Sequence, residues 1–219
     1  HPVFHLSFGS ENFTQPHVLD QMLEDYVAEG ERRYGRSEAK TLGQRFRSVL
    51  HAAHRATGRR VVVLIDEYDK SIVNNLGNDE LVDYYRKTLQ GFYSVLKAKD
   101  GQIKFGFLTG VSKIGKLSVF SSLNNLTDIS MNTDFSDICG ISESELKDYF
   151  DDSVSDLALQ NAMTKDDCYA RLKKMYDGYY FDRSMTVSVY NPFSILNTFY
   201  SKDFGEYWFE TGTPTLLVN

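Results

Sequence analysis

A chain of 219 residues with 42 % hydrophobic and 25 % charged residues, only 4 Pro and 15 Gly, can bury a core, which excludes a disordered, collagen-like or coiled-coil protein. The 24 Lys and Arg against 30 Asp and Glu give a net charge of −6, a field that repels phosphate backbones unless cations cluster locally, so nucleic-acid binding stays open but disfavoured. Cys139 and Cys168 cannot build a disulfide framework or a four-ligand zinc site, their spacing matches no metal signature, and no apolar run approaches the ~18 residues of a membrane span, so a soluble, cytoplasmic protein without a membrane partner is expected.

The chain opens at His1-Pro2 and passes straight into the alternating run Val3 to Phe8, read as a strand in a fragment whose true start lies upstream. Thr14 to Gly35 carries Val18, Leu19, Met22, Leu23, Tyr26 and Val27 at helical spacing, and a second helix is expected from about Ser37 to Thr57, closed by Gly58. Val61 to Ile65 is a continuous, mostly β-branched run that suits a strand buried on both faces, and it ends in Asp66-Glu67. A helix from about Asp79 to Ala98 and another buried strand over Ile103 to Thr109 follow. Strands alternating with helices predict an α/β fold with a mostly parallel sheet flanked by helices.

From about Ser142 short, acidic helices replace buried strands. The pattern predicts a helix over Asp166 to Tyr176, a turn at Tyr176 to Tyr179, a short strand over Val187 to Tyr190 and a helix started by Asn191-Pro192. A boundary near Gly140 divides the chain into 1–139 and 140–219.

Two consecutive carboxylates at the end of a buried strand are the sharpest chemical signal. In parallel sheets ligands bind beyond the carboxyl ends of the strands, where one acid can hold hydrated Mg²⁺ and the next can orient an attacking water. The bland alternative is that Asp66 caps the following segment and Glu67 is solvated. His51 and His54 have an i, i+3 spacing that can hold a metal, but surface histidines explain them as well. Glu145-Leu146-Lys147 spells the Glu-x-Lys of a restriction-type nuclease, although Ser142 to Lys147 reads as a capped helix start. The aromatics Tyr176, Tyr179, Tyr180, Phe181, Tyr190, Phe193, Trp208 and Phe209 fit a small-domain core better than a base-stacking surface, because few cations are interleaved.

Asp66-Glu67-Tyr68-Asp69-Lys70, Phe107 to Lys113, Val119 to Ile129, Tyr176 to Phe181, Tyr190 to Leu196 and Tyr207 to Pro214 together resemble the AAA-ATPase-like family of P-loop NTPases, often found with a C-terminal PD-(D/E)xK nuclease-like domain. The resemblance implies a P-loop-type sheet over 1–139, and a helical lid with the start of a winged-helix-like region over 140–219. It implies ATP and Mg²⁺ as cofactors, with Asp66 the Walker B residue that supports the metal and Glu67 the catalytic residue that polarises water. It also places Thr109, Ser112 and Lys113 where such ATPases sense the γ-phosphate, and it implies a conformational switch working with a homo-oligomer or nuclease-like domain. The phosphate-cradling Gly-x-x-x-x-Gly-Lys-Ser/Thr pattern does not occur in these residues, so this chain alone is expected to bind ATP weakly. In the family that loop and its strand come earlier, and the strand lies between the one ending at Thr109 and a last strand near Asp128 to Ser130. The rival expectation is a non-catalytic interaction or regulatory scaffold in which both acids are structural.

Overall fold

The computed structural model describes residues 1–97, 101–110 and 126–207. The chain divides into two compact units, within residues 1–126 and 127–214. No helix among the described residues is long and apolar enough to cross a membrane.

In the first unit three strands, β1 (Val3–Ser7), β2 (Val61–Asp66) and β3 (Ile103–Leu108), form a parallel sheet in the order β1-β2-β3. Parallel neighbours need long crossovers, and helices supply them: α1 (Pro16–Tyr34) and α2 (Leu42–Thr57) between β1 and β2, then α3 (Lys70–Val73) and α4 (Asp79–Tyr93) with a 3-10 turn (Ser94–Lys97) before β3. The β-branched run of β2 takes the middle, with Val61, Val63 and Ile65 buried and Val62 and Leu64 half-buried. β1 buries Phe4 and Leu6 and exposes Val3 and His5, so it is covered on one face. In the core Phe46 of α2 stacks on Phe92 of α4, with ring centroids 4.9 Å apart.

Three expectations need correction. Ser37 does not open the second helix; the Thr41 hydroxyl accepts the Gln44 N–H (3.3 Å), and this N-cap sets the start at Leu42. β3 is not a buried strand: Phe105 is 52 % exposed, because β3 is the edge of the described sheet and has a paired neighbour on one side only. Residues 128–130 are not a strand; the Asp128 carboxylate accepts the Ser130 N–H (3.0 Å), a local turn that competes with any ladder.

The second unit consists of α5 (Glu143–Tyr149), α6 (Asp151–Gln160), α7 (Lys165–Tyr176), an antiparallel pair β4 (Tyr179–Tyr180) and β5 (Ser188–Val189), and α8 (Pro192–Ser201). Leu146, Val154, Leu157, Cys168, Leu172, Tyr176, Tyr190 and Ile195 make its core. The predicted turn at 176–179 therefore leads into a short strand at Tyr179, after Gly178 with φ +112°. Ser142 and Glu145 form a reciprocal capping box, in which the Glu145 carboxylate accepts the Ser142 N–H (2.9 Å) and is held below its ordinary pKa by that bond. Glu145 to Lys147 thus belongs to a helix start rather than a strand, and Lys147 pairs with Glu143 (2.8 Å) one turn earlier on the same helix. Tyr176 and Tyr190 are core residues, and Trp208 and Phe209 lie outside the described residues.

Helices α1 and α2 are fastened by Arg45, whose guanidinium donates to Glu31 (3.0 and 2.7 Å) and to Glu24 (2.5 and 2.7 Å). Glu31 is buried, and its bonds to Arg45 hold its carboxyl below the ordinary 4.5. A depressed carboxyl contributes stability above its unfolded-chain pKa and loses that contribution as pH falls through the folded value. Arg45→Leu, which leaves the buried Glu31 charged without its ion-pair partner and with the Ser37 N–H as its remaining donor, is expected to cost about 3 kcal/mol at pH 7. The deficit against wild type should shrink as pH falls toward 4, when Glu31 of the variant takes up a proton. Urea unfolding at both pH values checks this.

Candidate functional site

Parallel register brings the carboxyl ends of all three strands to one edge. Ser7 is the register partner of Asp66 and Leu108 of Ile65, so Phe8 and Thr109 are the first residues beyond β1 and β3. Both are tied to β2: the Phe8 N–H donates to the Asp66 carbonyl (3.1 Å), and the Thr109 N–H to the Ile65 carbonyl (2.8 Å).

Thr109 is bonded at every polar atom. Its hydroxyl donates to the Asp66 carboxylate and accepts the Glu67 N–H (3.3 Å), while its carbonyl accepts the Tyr68 N–H (3.0 Å). The hydroxyl orients one oxygen of the exposed Asp66 carboxylate and leaves the rest of that group to solvent or ligand.

Glu67 has φ +54°, in the left-handed region that non-glycine residues rarely adopt. Such a conformation costs on the order of 1–3 kcal/mol and persists where the surroundings fix it. Here the Thr109 hydroxyl on one side and the Lys70 N–H, which donates to the Glu67 carbonyl (3.0 Å), fix it. The turn swings the Glu67 carboxylate to Lys70 Nζ (3.2 Å), which also donates to the Gly9 carbonyl. Gly9 flanks the same carboxylate: a Cβ there would stand 3.6 Å from Glu67 Oε2. The result is a strand-end acid beside a second, partly exposed acid whose position is set by a cation.

Beneath this edge the packing is tight. Tyr68 and Asp69 are buried, and the backbone of Gly110 passes so close that a Cβ would lie 2.5 Å from Tyr68 Cε1 and 2.8 Å from Asp69 Oδ1. Asp66, Glu67 and Thr109 are therefore brought together, while Ser112 and Lys113 lie outside the described residues. Gly9 and Lys70 joined the site only in three dimensions. Their sequence signal, a Ser-Phe-Gly after an alternating strand and a cation three residues beyond Glu67, acquires meaning once the β1–β2 register is known.

Among the described residues no three His, Cys, Asp or Glu side chains converge as a metal cage. His51 instead contacts Gln102, so the His51/His54 spacing gains no third ligand there.

The family model described as a predicted AAA-ATPase matches residues 1–120, the stretch that contains Asp66, Glu67 and Thr109. The chain belongs to the AAA-ATPase-like family. A relative from Azotobacter chroococcum mcd 1, described as an uncharacterized protein in vnfD 5'region, is 37 % identical over 220 residues. That alignment takes in 100 % of this chain and 40 % of the relative, so the chain spans about two-fifths of that protein's length. No solved structure matches. An ATPase-like module is thus the general class to which the strand-end acids belong.

Two substitutions check the geometry. Gly110→Ala forces Tyr68 or Asp69 to move and is expected to cost about 1–3 kcal/mol in denaturant unfolding. Thr109→Val keeps the shape but strands the Glu67 N–H, for an expected loss of about 1 kcal/mol. Its amide spectrum should change at Asp66 and Glu67 and stay put in α1.

Proposed function

We propose that this chain is the larger part of an ATP-binding and hydrolysing module, with nucleotide at the carboxyl edge of the sheet against Asp66 and Glu67. The observation that carries this reading is the hydroxyl-oriented Asp66 carboxylate beside a left-handed Glu67, an arrangement that spends backbone strain to place a second acid at a strand end.

Mg²⁺ fits this donor set. It keeps several waters and is bound by one or two carboxylates together with substrate phosphates, so a lone exposed carboxylate suits it and a protein cage is not needed. Asp66 would hold the ion, which supplies charge neutralisation at the phosphates when bound. Glu67 orients a water and accepts its proton, and Lys70 fixes where that carboxylate points. Thr109, whose hydroxyl proton is given to Asp66, keeps that carboxylate in one rotamer and would register the γ-phosphate through it, alongside Ser112 and Lys113.

The region from residue 140 we assign as a helical lid with the start of a winged-helix-like part, after an α/β core over 1–139. Loss of γ-phosphate contacts biases two conformations, and the output is control of an attached or partner nuclease-like domain in the cytoplasm, with a homo-oligomer as the other candidate partner.

A second reading rests on a specific observation of the sequence. Without a Gly-x-x-x-x-Gly-Lys-Ser/Thr pattern in these residues, backbone amides and the lysine that cradle a triphosphate have to come from elsewhere, and this chain alone would serve as a non-catalytic scaffold.

Calorimetry with Mg-ATP on this chain is expected to give weak binding. In a protein carrying these residues together with a phosphate loop, Glu67→Gln is expected to keep ATP binding and to slow hydrolysis by about 10²–10⁴-fold. Unchanged hydrolysis in that variant would leave the acids structural.

A further inference from the structure

Nine of the chain's 24 Lys and Arg residues, and one of its 30 Asp and Glu residues, fall within residues 32–60. A chain of net charge −6 thus concentrates its cations on the end of α1, the connection that follows and α2. Along α2, Arg47, His51 and Arg55 recur at every fourth residue and are exposed, while Phe46, Val49, Leu50 and Ala53 turn to the core.

The stripe forms one wall of an open groove of about 710 Å³ that is also lined by the 34–37 turn and Gln102. Arg36, Arg47, Arg55 and the His51 imidazole line it, and no Asp or Glu is among its described lining residues. Arg36 and Arg55 are both exposed. The Val61 N–H donates to the Gln102 carbonyl (2.7 Å), which puts the groove at the amino ends of β2 and β3. Asp66 lies at the other end of β2, five residues or about 17 Å along the strand from Val61, so the groove is separate from the acidic edge.

We propose that this groove binds the phosphate backbone of a nucleic acid without reading its bases. Guanidinium forks pair bidentately with phosphate oxygens, and the second N–H of the Gln102 amide and the Ser37 hydroxyl add neutral donors beside them, whereas the Ser48 hydroxyl donates to the Gln44 carbonyl (3.0 Å). Arg47 and Arg55 stand eight residues apart on one helix, about 12 Å along its axis, a span that suits successive phosphates of a polymer rather than one small anion. The groove is open, which admits a chain running through it. Base stacking is not on offer: the Tyr34 ring already packs against Phe4 (5.9 Å) and under the Arg33 guanidinium (5.3 Å). Binding is therefore electrostatic and sequence-independent, carried by counterion release. The whole-chain charge disfavours such contact only on average, and local clustering reverses the sign here.

Fluorescence anisotropy of the full chain with labelled 20-nucleotide DNA, single-stranded and duplex, at several salt concentrations tests this. Two or three phosphate contacts predict a log–log salt slope of about −1.5 to −2.5, at 0.7 to 0.9 per contact. Arg36→Gln/Arg55→Gln should weaken binding at low salt by at least about tenfold and make the slope shallower by about 1 per arginine removed. Arg36→Lys/Arg55→Lys, which keeps the charges, should retain most of the salt slope, and it separates lost charge from lost folding. Polyglutamate of similar length should compete poorly with DNA. Absence of DNA binding by the wild-type chain, an unchanged slope in the glutamine variant, or equal competition by polyglutamate, which would point to an acidic protein segment, would each overturn the proposal.

Discussion

Parallel pairing on both sides of β2 is the constraint on which the first unit depends. It requires long crossovers, which the paired helices provide, and it buries the Val61 to Ile65 run under them. It also delivers the carboxyl ends of three strands to a single edge. Asp66 therefore meets Thr109, a residue 43 positions away in sequence, through a direct side-chain hydrogen bond. Slipping the β2–β3 ladder by one residue would turn Asp66 away from the Thr109 hydroxyl.

The edge is stiff where chemistry is expected. Glu67 is held in a left-handed conformation by bonds to Thr109 and Lys70, and Gly110 closes on Tyr68 and Asp69 with no room for a side chain. Strain at one acid, offset by packing beneath it, preorganises a carboxylate pair without a third ligand. The second unit has no comparable feature among the described residues. Its acids serve helix ends, surface pairs and a buried loop bond: Glu145 in the capping box, Glu143, whose bonds to Lys147 and Lys173 bring its pKa down to about 2, and the buried Asp182, which accepts the Thr186 N–H and hydroxyl.

Much of the fold was legible in the sequence because its signals are local. The β-branched run of β2, the helical spacing in α1 and α4, the Ser142 to Glu145 cap and the Asn191-Pro192 start each follow from a few neighbouring residues. What failed depended on neighbours far along the chain. An apolar strand reads alike whether it is central or at an edge, so the exposure of Phe105 could not be foreseen. The start of α2 was misplaced because Ser37 and Thr41 are both capable caps, and Thr41 won. Of the site, Asp66 and Glu67 were visible as acids ending a buried run, and Thr109 as the end of the next strand. Gly9 and Lys70 were not, because register and a left-handed turn bring them in. The cation cluster of residues 32–60 was hidden by a total charge that averages over the whole chain.

The central claim is that the edge bearing Asp66, Glu67 and Thr109 receives a metal–nucleotide complex. Backbone amide spectra recorded with Mn²⁺ in place of Mg²⁺, with and without ATP, test it directly, because the paramagnetic ion broadens the amides nearest to it. The account predicts nucleotide-dependent broadening centred on Gly9, Asp66, Glu67 and Thr109. Broadening centred instead on the acidic helices between Glu143 and Asp156, or broadening indifferent to ATP, would contradict it.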